Sequence, residues 1–156
     1  MVTYPVDVGD AAPAFSLPAA NGRAVSLKEF AGRSLVLFFY PKDDTTACTR
    51  EAQAFSSMQS RFARRGIAVV GVSRDTVSSH MKFIAKYDLK VRLASDESGV
   101  ACESYGVWQE KQLYGRRYMG IERTTFLIGA DQVIRQVWRN VRVPGHVDAV
   151  WTTAIA

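Results

Sequence analysis

Apolar residues follow two spacings along the chain, and these spacings predict alternating strands and helices. The runs SLVLFFY at 34–40 and IAVVGVS at 67–73 are continuously apolar, which is typical of strands buried on both faces of a sheet. Between them, apolar residues recur every three or four positions, which predicts a helix over about 46–65 that ends at Gly66. The residues that set this spacing are Ala52, Phe55, Met58 and Phe62.

The rest of the chain divides in the same way. A second helix is predicted over 76–87, with Met81 and Ile84 on its apolar side. The pair Asn21-Gly22 is a strong hairpin signal near the start of the chain. The other predicted elements are a strand at 91–95, a short helix at 98–106, strands at 117–121, 123–129 and 132–139, and a last helix that Pro144 opens and that ends near Ile155.

The order of these elements predicts an α/β fold. Strands linked by helices pair in parallel, and the hairpin near the end of the chain adds antiparallel strands. We therefore expect a three-layer sandwich with a mixed central sheet. A chain of 156 residues suits one domain with one core, so the prediction is a single domain over 1–156.

Composition and charge exclude several classes of protein. The chain carries a net charge of +5, but its basic residues are spread along the whole length, which argues against a nucleic-acid-binding surface. No window approaches the length of a transmembrane helix, and residues 1–13 lack the basic and apolar segments of a secretory signal. Two cysteines do not form a disulfide framework, so we expect a cytoplasmic protein.

The segment FFYPKDDTTACTRE at 38–51 carries the candidate chemistry. It places Cys48 just past the end of a predicted central strand and in the first turn of the next helix, where ligands tend to bind in open α/β sheets. The unpaired amides at a helix N-terminus favour thiolate over thiol, so this position suits a nucleophile. Taken alone, the pattern fits an inert buried cysteine equally well.

Two motifs separated along the chain resemble one family. The string PKDDTTAC at 41–48 is similar to the P-x-x-x-[TS]-x-x-C signature of peroxiredoxins, and FYPKDDTTACTRE resembles the peroxiredoxin Q subfamily, also called bacterioferritin comigratory protein. The segment GVWQEKQLYGRRYMGIERTTFLI at 106–128 resembles a second motif of that subfamily and supplies Arg123. The resemblance implies a thioredoxin-like fold with an N-terminal β extension.

The resemblance also implies a role for each matching residue. Cys48 would be the peroxidatic nucleophile, which attacks a hydroperoxide and becomes a sulfenic acid. Thr45 would hydrogen-bond the peroxide, Pro41 would shield the sulfur, and Arg123 would favour the thiolate and stabilise the leaving oxygen. Glu51 would orient Arg123. No cofactor and no metal are implied.

The same comparison leaves the second half of the catalytic cycle open. The two positions where related chains carry a resolving cysteine hold Gln53 and Ile84 here. We therefore expect a one-cysteine cycle, with glutathione, glutaredoxin or thioredoxin as the external reductant. The remaining cysteine, Cys102, is expected to be half-buried and structural; a Cys48–Cys102 disulfide reduced by thioredoxin is the alternative. A non-enzymatic redox-sensing or holdase role is a further alternative.

A few expectations concern the rest of the molecule. His80 and His146, the only histidines, have no ligand-like neighbours in sequence and are expected on the surface. The absence of a C-x-x-C pair argues against a disulfide oxidoreductase of the thioredoxin type. By resemblance, the protein is expected to be a monomer or a weak homodimer.

Overall fold

A five-stranded mixed sheet forms the centre of the chain in a computed structural model that describes residues 3–156. The strands are β1 (Ser16–Leu17), β2 (Val25–Ser26), β3 (Leu35–Phe39), β4 (Ala68–Ser73), β5 (Arg92–Ser95), β6 (Trp108–Leu113), β7 (Arg116–Ile121), β8 (Thr124–Ile128) and β9 (Ile134–Trp138). The helices are α1 (Thr46–Arg64), α2 (Val77–Tyr87), α3 (Val100–Ser104) and α4 (His146–Ala154), with a 3-10 turn at Leu27–Phe30.

The sheet order β5-β4-β3-β8-β9 puts the strand that leads to Cys48 in the middle. Strand β3 pairs in parallel with β4, and β4 with β5, while β8 runs antiparallel to β3. Two hairpins stand outside this sheet, β1 with β2 and β6 with β7. The β1–β2 hairpin contains the turn predicted at Asn21-Gly22, where Gly22 takes the left-handed conformation with φ +80°.

The sheet separates two hydrophobic clusters. Successive residues of β3 point to opposite faces, so Leu35, Leu37 and Phe39 enter one cluster while Val36 and Phe38 enter the other. The first cluster packs against α3, the 3-10 turn and the β1–β2 hairpin. The second packs against α1, α2 and α4. The result is the three-layer sandwich with a mixed sheet that the sequence predicts.

Close packing fixes the sheet against α1 at one glycine. A Cβ atom on Gly71 of β4 would lie 2.5 Å from the Phe38 ring and 2.8 Å from Leu93. The Phe38 ring in turn stacks on Phe55 of α1 with the ring centroids 4.4 Å apart. Gly71 therefore allows the Phe38 ring to lie flat between the sheet and the helix that carries Cys48.

The structure differs from the sequence-based prediction at three places. Strand β6 was not predicted, because its residues WQEKQL are polar and half-exposed. Met81 of α2 is exposed, and the buried side of that helix is formed by His80 and Phe83. The last helix begins at His146 rather than at Pro144, after Gly145 in the left-handed conformation with φ +76°. Within residues 3–156, none of the helices combines the length and apolar character needed to span a membrane.

Candidate active site

Cys48 lies in the first turns of α1, directly beyond the carboxyl end of β3. Strand β3 ends at Phe39 and α1 begins at Thr46, so residues 40–45 form the loop between them, called here the catalytic loop. The first intrahelical bond shown at this end runs from the Thr49 amide to the Thr45 carbonyl at 2.8 Å, which leaves the preceding amides as free donors at the helix N-terminus. Cys48 as a residue is only 2% exposed.

Arg123 joins the Cys48 thiol to Glu51. It precedes β8, which lies next to β3, and its Nη2 donates to Cys48 Sγ at 3.3 Å. Its Nη1 donates to Glu51 Oε1 at 2.7 Å. Glu51 lies three residues after Cys48, so both side chains are on the same side of α1. A guanidinium held against a sulfur atom stabilises negative charge on that sulfur.

Glu51 is a fully buried carboxyl group, with 0% exposure. Its Oε2 has no hydrogen-bond partner among the described residues. Burial raises the pKa of Glu51 to about 7, and the charge and hydrogen bond of Arg123 oppose this rise. The pKa of Arg123 is itself raised: burial would lower it, but Glu51 and Cys48 outweigh that effect. The guanidinium is therefore fixed as a cation beside the thiol.

Thr45 and Pro41 both belong to the catalytic loop that precedes Cys48. Thr45 is exposed and occupies the N-cap position of α1, but its Oγ1 caps no helix amide and instead donates to the Lys42 carbonyl at 2.9 Å. Because the hydroxyl proton is used in that bond, the oxygen lone pairs remain free to accept a proton donor at the surface. Pro41 is half-buried at the start of the catalytic loop.

Cys102 lies on the opposite face of the central sheet from Cys48. Cys48 belongs to the cluster with α1, α2 and α4, whereas Cys102 belongs to the cluster with α3. Cys102 is fully buried rather than half-buried as expected, and its amide donates to Asp96 Oδ2 at 2.8 Å. Burial, followed by the hydrogen bond with Asp96, raises the pKa of the Cys102 thiol. Both cysteines are free thiols.

The expectation that His80 lies on the surface is wrong. Its side chain is 0% exposed, and its Nε2 lies 2.9 Å from the Ala94 carbonyl while its Nδ1 lies 2.7 Å from Asp43 Oδ2. Both ring nitrogens therefore face oxygen atoms that can accept a hydrogen bond, and Nδ1 lies at ion-pair distance from the Asp43 carboxyl group. The same carboxylate accepts from Tyr40 at 2.6 Å and from Ser79 at 2.8 Å.

These contacts anchor the catalytic loop to the rest of the fold. The Asp43 amide donates to Asp75 Oδ2 at 2.9 Å, which ties the loop to the end of β4. The ligand-type atoms of Asp43, Asp75 and His80 lie within 4.8 Å of one another, a spacing that could hold a cation, but hydrogen-bond partners already surround them. A structural network is the better description of this cluster. Asp44 adds an exposed link, because it accepts from Tyr87 at 2.6 Å and from Lys86 at 2.8 Å.

His146 is also buried, contrary to expectation. It is 6% exposed at the start of α4, and Thr125 Oγ1 lies 2.8 Å from its Nε2. Burial, and then the positive charge of Arg123, lower the pKa of His146 to about 4. The ring is therefore neutral near pH 7 and adds no second positive charge behind Arg123.

Comparisons with known proteins identify the family of the chain. The model of the AhpC/TSA family matches residues 8–137. The chain belongs to this family. A putative peroxiredoxin Bcp of Coxiella burnetii is 46% identical over 93% of this chain and 96% of its own length, and peroxiredoxin Bcp of Escherichia coli is 38% identical over 94% of each. The protein is therefore a peroxiredoxin of the Bcp, or peroxiredoxin Q, type.

Solved structures confirm the fold of this peroxiredoxin. The bacterioferritin comigratory protein of Xanthomonas campestris superposes with a TM-score of 0.86 at 39% identity, over 90% of each chain. A PrxQ variant of Xylella fastidiosa superposes with a TM-score of 0.90 at 36% identity, over 95% of this chain and 94% of its own. The predicted thioredoxin-like fold is therefore confirmed.

Sequence reasoning did not find the network beneath the catalytic loop. Asp75 follows the carboxyl end of β4 and Asp43 follows that of β3, and these two ends meet at one edge of the sheet because the strands are parallel. That adjacency was available from the strand order. Nothing in the local pattern of α2 indicates that His80 points towards it, because the burial of His80 depends on its partner Asp43.

Proposed function

We propose that this peroxiredoxin reduces hydrogen peroxide and organic hydroperoxides through a sulfenic acid on Cys48, in a one-cysteine cycle completed by an external thiol. The observation that carries the proposal is the contact between Arg123 Nη2 and Cys48 Sγ at 3.3 Å, at the N-terminus of α1. The cation and the free helix amides both favour the thiolate, which is the reactive form of cysteine.

The chemical step is a displacement at oxygen. The Cys48 thiolate attacks one peroxide oxygen, the O–O bond breaks, and the other oxygen leaves with the electron pair and takes up a proton. The products are a sulfenic acid and water, or an alcohol when the substrate is an organic hydroperoxide. The Xanthomonas relative is described by its alkyl peroxide reduction activity, which supports organic hydroperoxides as substrates here.

The neighbouring residues have distinct roles in this proposal. Thr45 accepts the peroxide O–H, since its own proton is donated to the Lys42 carbonyl. Arg123 stabilises charge on the sulfur and on the leaving oxygen. Glu51 positions Arg123 through the bond at 2.7 Å. Pro41, half-buried within the catalytic loop, limits the access of water to the sulfur.

The location of Cys102 favours the one-cysteine cycle over the alternative disulfide. The two thiols lie in different clusters on opposite faces of the sheet, and a disulfide requires Cα atoms within about 7 Å. A Cys48–Cys102 bond would require the sheet or α3 to rearrange. The raised pKa of Cys102 also leaves little thiolate to attack a sulfenic acid.

Oxidation with one equivalent of hydrogen peroxide tests the proposal. In wild type and in Cys102→Ser, we expect the loss of one thiol and a sulfenic acid that dimedone traps, measured by intact mass. Cys48→Ser should keep its thiol. Equal reaction of Cys48→Ser and wild type would disprove the peroxidatic role. A mass loss of two hydrogens in wild type that disappears in Cys102→Ser would establish the two-cysteine cycle instead.

The other expectations remain proposals. A cytoplasmic location fits the reduced state of both cysteines and the need for an external thiol. A monomer or weak homodimer remains a prediction that sedimentation can test.

A further inference from the structure

A groove of about 470 Å³ opens between the catalytic loop and the β6–β7 hairpin. It is called here the hairpin groove, and its volume is within the range of small-molecule sites. One wall is the catalytic loop, which includes the half-buried Pro41. The side chains that matter for the argument are Pro41, Lys42, Arg74, Trp108, Lys111 and Met119.

The hairpin groove is electropositive. Lys42, Arg74 and Lys111 line it, and Glu97 is the only acidic residue among its described lining residues. Arg74 lies over the Trp108 ring at 4.5 Å, and its Nη2 donates to the Glu97 carbonyl oxygen, so its position is fixed. The Lys111 ammonium donates to the Ile121 carbonyl at 2.8 Å.

Lys111 connects the groove to the residues around the sulfur, because the carbonyl that it bonds belongs to Ile121, two residues before Arg123. Burial, and then the charge of Arg123, lower the pKa of Lys111, while ionised Cys48 acts in the opposite direction. Lys111 is therefore close enough to Arg123 and Cys48 to respond to their charges. An anion bound in the hairpin groove would relieve the repulsion between Lys111 and Arg123.

The catalytic loop limits which thiol can reach the sulfur. Cys48 is 2% exposed, and the loop above it is held by the ion pair between Asp43 and His80 at 2.7 Å. A protein thiol carries a bulky surface and would need this loop to open. A small thiol can lie in the hairpin groove, whose wall includes Pro41 and Lys42 of the same loop.

We propose that the hairpin groove binds a low-molecular-weight thiol bearing carboxylates, of the glutathione class, and directs it to the Cys48 sulfenic acid. This inference rests on the proposed one-cysteine cycle. The thiol attacks the Cys48 sulfur, the S–O bond breaks, and the oxygen leaves as water with formation of a mixed disulfide. A second thiol then attacks the mixed disulfide, which releases the Cys48 thiol and a small disulfide.

The test compares thiols of different charge on the same oxidised protein. Cys48 is oxidised with one equivalent of peroxide and then mixed with glutathione, neutral 2-mercaptoethanol or cationic cysteamine, and rapid quench with intact mass follows the mixed disulfide. Each rate constant is normalised to the intrinsic reactivity of the thiol. The variants are Lys111→Gln and Arg74→Gln. Arg65→Gln, which removes one positive charge at the opposite end of α1, is the matched control.

We expect wild type to prefer glutathione over cysteamine. The ratio of the two rate constants should fall about two- to fivefold in each groove variant and stay at the wild-type value in Arg65→Gln. It should also fall as salt rises from about 20 to about 300 mM. The rate with neutral 2-mercaptoethanol, measured for each variant, separates a change in charge preference from a general loss of reactivity.

Three outcomes would overturn the inference. The first is equal preference for the three thiols in wild type. The second is an equal loss of preference in Arg65→Gln and in the groove variants. The third is a charge preference that occurs only in the oxidation step with a carboxylate-bearing hydroperoxide, which would make the groove a site for the oxidant. If no sulfenic acid forms at all, the proposed function itself has failed.

Discussion

Replacing Glu51 by glutamine is expected to remove much of the pH dependence of stability. Glu51 is buried with one oxygen unpartnered, and its pKa is raised from 4.5 to about 7. Below pH 4.5 the carboxyl group is neutral in both the folded and the unfolded protein, so stability is at its highest there with respect to this group. Between pH 4.5 and 7 the unfolded chain loses its proton first, so stability falls.

The expected size follows from the difference in pKa. A rise from 4.5 to about 7 corresponds, at about 1.4 kcal/mol per pH unit, to about 3 kcal/mol of stability lost by pH 8. Glutamine at this position cannot ionise, so the variant escapes this loss. For a chain of this length, about 3 kcal/mol corresponds to a Tm difference of about 5 to 10 °C.

Urea unfolding at pH 5 and pH 8 measures the effect. The quantity of interest is the free energy of unfolding of Glu51→Gln minus that of wild type, compared between the two pH values. Any effect of the substitution that does not depend on pH cancels in this comparison. We expect this difference to favour the variant by about 2 to 3 kcal/mol more at pH 8 than at pH 5. Glu103→Gln, at an exposed carboxylate, is the control.

One result would refute this reasoning. If the difference between Glu51→Gln and wild type is the same at both pH values, Glu51 is ionised throughout the range. In that case the ion pair with Arg123 outweighs the cost of burial, and the carboxylate rather than the carboxyl group would hold the guanidinium at neutral pH.

The remaining predictions concern the network, the sheet and the second cysteine. His80→Ala should lower the free energy of unfolding in urea by about 3 kcal/mol or more, because it leaves Asp43 buried without its ion-pair partner. A change below about 1 kcal/mol would contradict the ion pair. Gly71→Ala should lower the free energy of unfolding by about 1 to 3 kcal/mol in the same assay, because its Cβ would lie 2.5 Å from Phe38. An unchanged free energy of unfolding would show that the Phe38 ring moves freely. Iodoacetamide should label Cys48 faster than Cys102 in the folded protein, because Arg123 lies beside Cys48 whereas burial raises the pKa of Cys102; mass mapping can check this, and equal labelling would contradict it.

The central sheet could be predicted because its signal is local. The runs at 34–40 and 67–73 are continuously apolar, and a strand buried on both faces requires this pattern. The position of Cys48 then follows from the strand and the helix on either side of it. The contact between Cys48 and Arg123 was expected only through the resemblance, because 75 residues separate them and no periodicity relates them.

The predictions that are wrong concern residues whose burial is decided by distant partners. A polar side chain becomes buried when its hydrogen bonds are satisfied, and those partners are not visible in a local window. His80 is buried because both of its ring nitrogens have hydrogen-bond partners, Asp43 and the Ala94 carbonyl. His146 is buried against Thr125. Strand β6 shows the converse: within residues 3–156 it pairs with β7 alone, and a hairpin exposed on both sides carries no apolar alternation.

The network beneath the catalytic loop decides how often the loop can open. The links from Asp44 to Tyr87 and Lys86 are exposed and screened by solvent, so they contribute little. The pair between Asp43 and His80 is buried, and breaking such a pair costs about 3 kcal/mol or more. At that cost, the open loop would be populated less than about 1% of the time, since each 1.4 kcal/mol is a factor of ten. A protein reductant that needs the open loop would lose about 100-fold in rate. If the hairpin groove binds the small thiol as proposed, that thiol would avoid this loss, and we expect the ion pair to favour it over a protein reductant.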